Sequence, residues 1–435
     1  MRSVRSVLGV VLLMWSGAGV AWAADPDDAW DEWRYDWYEE QQVTQAQAEG
    51  ITGQGVPVAV IDQGIWSDLP ELAGAHLTVR EPSFCEEEAL KSKGEEPHPA
   101  AQPVWGGTYQ AVFIAGNGRG ADGRESVRGI APGADIRFYA VGGVVSGYYF
   151  RCTGNPEVTA RAIVQAVDDG ARIISLYDQG VRADRQIAQA VAYAVHEKVV
   201  VVVPSTSVTG GTWIQALNGV VSVGGFSKHG WWFGASPTTT VGAPGVGLLL
   251  PVAPGENLDH PNINNSLEVP AALVAGMLAD VAQKWPEATN DQLIQTLIAN
   301  AATQPPPPPG SETHWAYQPH GYGLANLPQM LAVDPTQYPD ANPLIVPDDG
   351  RKHGLTDEDI RTAQRPAWAP LLPSAEPTPG PAPSSTDGLP RWMWPVLGAV
   401  VVAAAAIVLG ARAWSGARRV RHGPTAAKAP TTEEE

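Results

Sequence analysis

Short runs of β-branched apolar residues alternate with segments of helical periodicity through the middle of the chain, and this alternation restricts the fold more than any other feature. The predicted strands cover residues 56–61, 136–144, 172–177, 199–203 and 220–224, and the predicted helices cover residues 157–169, 185–196, 270–284 and 290–302. Strands that are apolar on both faces are typical of a parallel sheet, and strand–helix alternation places helices on both of its faces. We therefore predict an α/β fold with a mostly parallel central sheet and helices on both faces.

Asp62 follows the first predicted strand directly. In open parallel sheets, ligands and catalytic groups collect at the carboxyl ends of the strands. This position makes Asp62 the first candidate for a functional carboxylate.

The charge of the chain excludes one class of partner. The 435 residues carry a formal net charge of −18, which repels the phosphates of nucleic acids, so we expect no nucleic-acid partner. The sequence has neither paired histidines near its cysteines nor a D-x-D-x-D-G loop. We therefore also expect no metal ion and no cofactor.

The N-terminus has the features of a secretory signal peptide. Arg2 and Arg5 precede an apolar run, and the small-residue sequence A-W-A follows at residues 21–23. Such a segment is removed from the mature protein. Residues 1–23 are therefore predicted as a cleaved signal peptide.

An acidic, tryptophan-rich extension follows at residues 24–49. Trp30, Trp33, Trp37 and Tyr38 recur at helical spacing within it. These rings would either bind a partner or pack on the following domain. We favour packing on the domain, which we place at residues 50–335.

Residues 391–412 are almost wholly apolar. A helix of this length crosses a bilayer core of about 30 Å, at about 1.5 Å per residue. Arginines are more numerous after this segment than before it, which favours a cytoplasmic tail at residues 413–435. We predict a single transmembrane helix in the cell membrane, with the main domain extracellular or periplasmic. Residues 336–390 are rich in proline and are predicted as an extended stalk.

Cys85 and Cys152 are the only two cysteines of the chain. A compartment outside the cell membrane is oxidising, and secreted chains use paired cysteines mainly for disulfides. We predict one disulfide between them.

Six short motifs mark the domain. They are V-A-V-I-D-Q-G at residues 58–64, G-I-A-P-G-A at 129–134, A-R-I-I-S-L at 171–176, V-G-A-P-G at 241–245, V-A-G at 274–276 and G-Y-G at 321–323. In content and order they resemble the motifs of subtilases, the subtilisin-like serine proteases, and the resemblance implies a subtilisin-like fold. The signal peptide, stalk and membrane helix narrow the resemblance to mycosins, the subtilases associated with type VII secretion in actinobacteria.

The resemblance implies a catalytic triad, and the chain departs from it. Asp62 stands at the aspartate position, but Gly106 stands at the histidine position, within the stretch W-G-G-T-Y-Q-A-V. Ser207 stands at the position of the asparagine that stabilises the oxyanion. Glycine has no proton acceptor, and a serine hydroxyl is a shorter donor than an amide.

The serine position allows two alignments. Anchored on Pro270 it is Ser266, and anchored on the V-A-G motif without a gap it is Glu268. We prefer the ungapped alignment, because two inserted residues rotate the buried face of a helix by about 200°. Ser266 is then expected to cap the helix that follows.

The resemblance also assigns Ser175, Leu176 and Tyr177 to a substrate cleft. Because the triad is degenerate, we predict a pseudoprotease that serves as a scaffold in a type VII secretion membrane complex. Two alternatives stay open: an active serine endopeptidase that processes secreted proteins, with Ser266 as nucleophile, and a non-catalytic module that binds peptides in the cleft.

Overall fold

The computed structural model describes residues 36–80, 84, 102–145, 148–151, 156–177, 182–206, 213–227, 232–234, 236–253, 261–301, 321–347 and 355–369. Its strands are β1 (Pro57–Asp62), β2 (Leu77–Arg80), β3 (Asn117–Arg119), β4 (Glu125–Arg128), β5 (Asp135–Ala140), β6 (Gly142–Val145), β7 (Tyr148–Arg151), β8 (Ile173–Leu176), β9 (Val200–Pro204), β10 (Val221–Phe226), β11 (Trp232–Phe233), β12 (Val241–Pro244), β13 (Leu248–Leu249) and β14 (Ile263–Asn264). Its helices are α1 (Asp36–Glu40), α2 (Val43–Ala48), α3 (Gln102–Ala115), α4 (Pro156–Asp168), α5 (Arg185–His196), α6 (Glu268–Lys284), α7 (Asn290–Ala299), α8 (Leu327–Ala332) and α9 (Asp357–Arg361).

The central sheet has eight strands and is mostly parallel. Its order is β11-β10-β9-β8-β1-β5-β2, with β12 paired to β10. The β10–β11 pair is antiparallel, whereas β1, β2, β5, β8, β9, β10 and β12 pair in parallel. The predicted α/β fold with a mostly parallel central sheet is confirmed.

Alternate side chains of β1 enter two different hydrophobic clusters. Val58 and Val60 join the cluster that contains α1, α2, α3, α6, α7 and α8. Ala59 and Ile61 join the cluster that contains α4, α5 and residues of the segment 355–369. Because successive side chains of a strand point to opposite faces, the sheet has helices on both faces, as predicted.

The described part of the N-terminal extension packs on the domain. Trp37, Tyr38 and Val43 are buried in the first cluster, and the ring of Trp37 lies 6.0 Å from that of Phe113. Gln41 donates from Nε2 to the carbonyl oxygen of Ala325 and accepts the backbone N–H of Leu327. The packing prediction is confirmed for these residues, whereas Trp30 and Trp33 lie outside the described residues.

The segment after residue 335 differs from the predicted stalk. Leu344 is fully buried, and Asn342 donates from Nδ2 to the carbonyl oxygen of Gly219. Farther on, Arg365 pairs with Asp168 at 2.8 Å, and Trp368 donates to Gln189. The packed domain therefore continues to residue 369, and a stalk that begins at residue 336 is wrong because these side chains have partners distant in sequence.

Several predictions fall on residues outside those described above: the signal peptide, the disulfide between Cys85 and Cys152, Ser207, the membrane helix at 391–412 and the tail at 413–435. Within the described ranges, none of the helices has both the length and the apolar character required to cross a membrane.

Candidate functional site

Asp62 is the last residue of β1 and lies at the carboxyl end of that strand, near the middle of the sheet. Its side chain is almost completely buried, at 1% exposure. Oδ1 accepts the backbone N–H of Gln63 at 2.6 Å, and Oδ2 accepts a hydrogen bond from Nε2 of Gln110 at 2.7 Å. The carboxylate is thus held by one backbone donor and one side-chain amide.

Gln110 links Asp62 to the neighbouring strand. It lies in α3 and is fully buried, and its Oε1 accepts the hydroxyl of Ser175 at 2.6 Å. A carboxylate can only accept hydrogen bonds, so the amide nitrogen of Gln110 must face Asp62. The amide oxygen then faces the hydroxyl of Ser175, which donates to it. The result is a buried chain of hydrogen bonds, from Ser175 through Gln110 to Asp62, that ties β8, α3 and β1 together.

Sequence reasoning missed Gln110. The signal that could have found it is helical spacing: Gln110 lies four residues after Gly106, and residues four apart share one face of a helix. A glutamine in a mostly apolar helix needs a buried hydrogen-bond partner. The face that carries Gly106 therefore also carries the residue that binds Asp62.

Gly106 lies directly against the carboxylate of Asp62. A Cβ atom at Gly106 would lie 3.0 Å from Oδ2 and 3.1 Å from Oδ1, and a Cβ atom at Gly107 would lie 2.4 Å from the carbonyl oxygen of Gly64. These glycines let α3 approach the end of β1 more closely than any larger residue would. The position next to Asp62 therefore has no side chain that can take a proton.

Ser266 lies just before α6 and is buried, at 4% exposure. Its Oγ accepts the backbone N–H of Val269 at 3.2 Å and donates to Oε2 of Glu268 at 2.6 Å, while its own N–H donates to the carbonyl oxygen of Gly245 at 3.0 Å. The contact with Val269 is the capping contact expected of a serine before a helix. Glu268, the other candidate for the nucleophile position, is the first residue of α6 and binds this serine.

The three residues assigned to the cleft are buried. Ser175 and Leu176 belong to β8, which lies between β1 and β9. Ser175 donates its hydroxyl to Gln110, and Tyr177 donates its backbone N–H to the carbonyl oxygen of Ile61 at 3.0 Å. Their polar groups serve contacts within the fold.

Half-buried aromatic side chains surround Gly106 in the fold. The rings of Trp66 and Trp105 lie 5.8 Å apart, and Tyr109 stacks on Trp105 at 5.4 Å. The backbone N–H of Trp66 donates to Oγ1 of Thr108 at 2.8 Å, which ties the loop after β1 to α3. Aromatic groups of this kind are enriched at protein interfaces.

Among the residues that the structure describes, no group of three or more His, Cys, Asp or Glu side chains is arranged to hold a metal ion. Among the described hydrogen bonds, those of Gln63 and Gln110 hold the carboxylate of Asp62 in place.

Comparison with known proteins finds a similarity to one family in the part of the chain that contains Asp62, Gly106, Gln110 and Ser175. Residues 53–245 match the profile of the Subtilase family. The match ends before Ser266. Fervidolysin of Fervidobacterium pennivorans is 26% identical over 319 residues, which are 66% of this chain and 42% of fervidolysin. The chain thus spans less than half the length of this relative.

Solved structures with similar folds include fervidolysin and MycP1. The fervidolysin structure has 24% identity and a TM-score of 0.48, and it covers 68% of this chain and 45% of its own. MycP1 from Mycobacterium smegmatis has 22% identity and a TM-score of 0.47, and the match covers 71% of this chain and 86% of the MycP1 chain. MycP1 from the ESX-1 type VII secretion system has 21% identity and a TM-score of 0.47, and the match covers 72% of this chain and 88% of that MycP1 chain.

Proposed function

We propose that this chain, whose residues 53–245 belong to the subtilase family, is a pseudoprotease that acts as a protein scaffold. The observation that carries this proposal is the direct approach of Gly106 to Asp62. A serine protease needs a base between its carboxylate and its nucleophile. Here that place is filled by the backbone of α3.

The carboxylate of Asp62 also has a different use. In a triad it orients the base histidine, whereas in this chain its Oδ2 accepts the amide of Gln110. Loss of the base alone costs a triad about as much as loss of all three members. Hydrolysis close to the uncatalysed rate follows from these contacts.

The proposed setting of the scaffold is a membrane complex of type VII secretion. Its support is the sequence: a signal peptide at residues 1–23, an apolar segment at 391–412 and the mycosin-like order of the motifs. The domain is then exposed outside the cell membrane, and protein partners bind its surface. The aromatic side chains beside Gly106 are candidates for such contacts.

A second candidate function is an endopeptidase with an unusual dyad. It is favoured by the hydrogen bond of 2.6 Å between Ser266 and Glu268, because a carboxylate can take the proton of a hydroxyl. Against it, Ser266 is buried and its Oγ already accepts the N–H of Val269.

The deciding experiment exposes the full-length chain to a fluorophosphonate probe and measures its intact mass. Ser266→Ala is the matched variant, and an active subtilase in the same buffer is the positive control. We expect no adduct on the wild-type chain. An adduct that disappears in Ser266→Ala would make Ser266 a nucleophile and overturn the proposal.

The scaffold role is tested in cells that lack the chain. We expect the secretion complex to be lost and to be restored equally by the wild type and by Ser266→Ala. Restoration by the wild type alone would require the serine and favour the endopeptidase.

A further inference from the structure

Asp280 is a fully buried carboxyl group in the middle of α6. Neither of its oxygens has a hydrogen-bond partner among the residues that the structure describes. Burial raises the pKa of this carboxyl well above its usual range. A carboxylate without partners in such a place is costly, so the neutral acid is the form that the packed structure accommodates.

The position of Asp280 places it beneath the junction between the extension and the domain. On a helix it shares a face with Gly276, four residues before it, and with Gln283, three residues after it. Gly276 packs against Ile130. Gln283 donates to the carbonyl oxygen of Gly50 and accepts the backbone N–H of Thr52 at 2.7 Å.

Tyr38 connects Asp280 to the extension itself. Burial raises the pKa of Tyr38, and the negative charge of Asp280 raises it further. The hydroxyl of Tyr38 donates to Gln47, whose Nε2 donates to the carbonyl oxygen of Gly129 at 2.9 Å. Ionisation of Asp280 would therefore change the electrostatic environment of residues in both α1 and α2.

We propose that Asp280 is a proton-operated latch for the N-terminal extension: the neutral carboxyl keeps α1 and α2 packed on the domain, and the ionised carboxylate loosens them. The driving force is hydration, since movement of the extension is the route by which water reaches the buried charge. The described polar contacts of the extension with the domain include those of Gln41 and Gln47. Its side chains Trp37, Tyr38 and Val43 are buried in the first cluster.

The other titratable groups near the latch do not compensate the charge. Tyr38 lies within electrostatic reach of Asp280, and Glu39 of α1 and Arg128 of β4 act on Tyr38. On α6 itself, Lys284 donates to the carbonyl oxygen of Leu331 on α8. Among the described residues, none of these groups forms an ion pair with Asp280.

The direction of the effect follows from linkage. The packed form binds the proton more tightly than the loosened form, so packing is favoured at low pH and lost as pH rises. One proton changes the ratio of packed to loosened extension by at most about tenfold per pH unit.

The test is hydrogen exchange of the full-length chain, followed by mass spectrometry from about pH 5 to about pH 9. At each pH, the exchange rate of α1 and α2 in the wild type is divided by the rate in Asp280→Asn. This ratio is free of the intrinsic pH dependence of exchange, which is the same in both proteins. We expect this ratio to rise with pH, by up to about tenfold per unit, because asparagine mimics the neutral acid.

Asp291→Asn is the matched control. Asp291 is also buried with a raised pKa, but it lies on α7 and pairs with Lys198. We expect this variant to leave the pH dependence of the extension unchanged. Equal exchange of α1 and α2 in the wild type and Asp280→Asn at every pH would overturn the latch.

A second measurement keeps the proposal testable if Asp280→Asn does not fold. Carbon-13 NMR of aspartate carboxyl groups in the wild-type chain, with the Asp280 and Asp291 signals assigned separately, should show Asp280 titrating well above the usual range, together with shifts in α1 and α2 over the same pH interval. Ionisation of Asp280 at mildly acidic pH, or ionisation of Asp280 without any shift in α1 and α2, would contradict the proposal.

Discussion

Gly106 and Asp62 touch: a methyl group at Gly106 would lie 3.0 Å from the Oδ2 atom of Asp62. This distance is shorter than a normal carbon–oxygen contact. The carboxylate has therefore taken the space in which a base would begin, and Gln110 holds it there. A histidine at residue 106 would therefore meet these contacts from its Cβ atom outward.

A histidine introduced alone at residue 106 is not expected to give peptidase activity. Gly106→His should add no peptidase activity and should lower the free energy of unfolding by about 1–3 kcal/mol, because its Cβ overpacks the site against Asp62. Chemical denaturation and a fluorogenic peptide assay measure the two effects. Gly106→Ala is the control for the Cβ alone. Measurable hydrolysis by Gly106→His would show that the carboxylate can return to a triad orientation.

Gln110 is expected to stabilise the domain strongly. Gln110→Leu leaves the Oδ2 atom of Asp62 and the hydroxyl of Ser175 without this partner, and buried polar groups in that condition cost about 1–3 kcal/mol each. Urea denaturation should show a loss of about 2–4 kcal/mol. Gln189→Leu is the comparison, since Gln189 is exposed and bonds only to Trp368 among its described contacts. Similar small losses in both variants would mean that the buried chain contributes little.

Glu71 gives a prediction about pH. Burial raises its pKa, although Ser126 donates to Oε1 at 2.6 Å. The folded state therefore holds the proton more tightly, and the contribution of Glu71 to stability falls as pH rises through its folded pKa. Glu71→Gln should flatten the decline in unfolding free energy between about pH 5 and about pH 8.

Asp359 supplies a control of opposite sign for that measurement. Hydrogen bonds from the backbone and side chain of Thr356 lower its pKa. Its stabilisation is present above its unfolded pKa and is lost as pH falls through its folded pKa. Asp359→Asn should thus reduce stability near neutral pH and change little in acid. An identical pH profile for the wild type and both variants would exclude these two carboxyls as sources of the pH dependence.

Truncation tests where the domain ends. A chain shortened after residue 335 loses Leu344 from the core and the hydrogen bonds of Asn342 to Gly219 and of Asn218 to Val346. We expect it to be less stable, by more than about 3 kcal/mol, than a chain shortened after residue 369. Thermal denaturation compares the two. Equal melting temperatures would place the boundary where the sequence suggested.

The fold could be predicted because its signals are local. The helix predicted at residues 185–196 was found as Arg185–His196, with Asp184 capping it through the N–H of Ile187. The first strand, predicted at residues 56–61, was found at Pro57–Asp62. Apolar runs and periodicity act over a few residues, so one sequence contains the information needed to place these elements.

The site was predictable only in part because its contacts are distant in sequence. Motif order identified Asp62 and Gly106, but Gln110 bonds to residues 48 and 65 positions away. The boundary after residue 335 was wrong for the same reason, since Asn218 and Val346 are 128 positions apart. The helical spacing of Gln110 from Gly106 marks its helix face, but no local pattern names the distant partners of that face before the fold brings them close.

The described chain begins and ends on opposite faces of the sheet. The extension joins the cluster with α3 and α6, and the segment 355–369 joins the cluster with α4 and α5. A mechanical load applied between these two segments would therefore act on both helical layers of the domain, one on each face of the sheet.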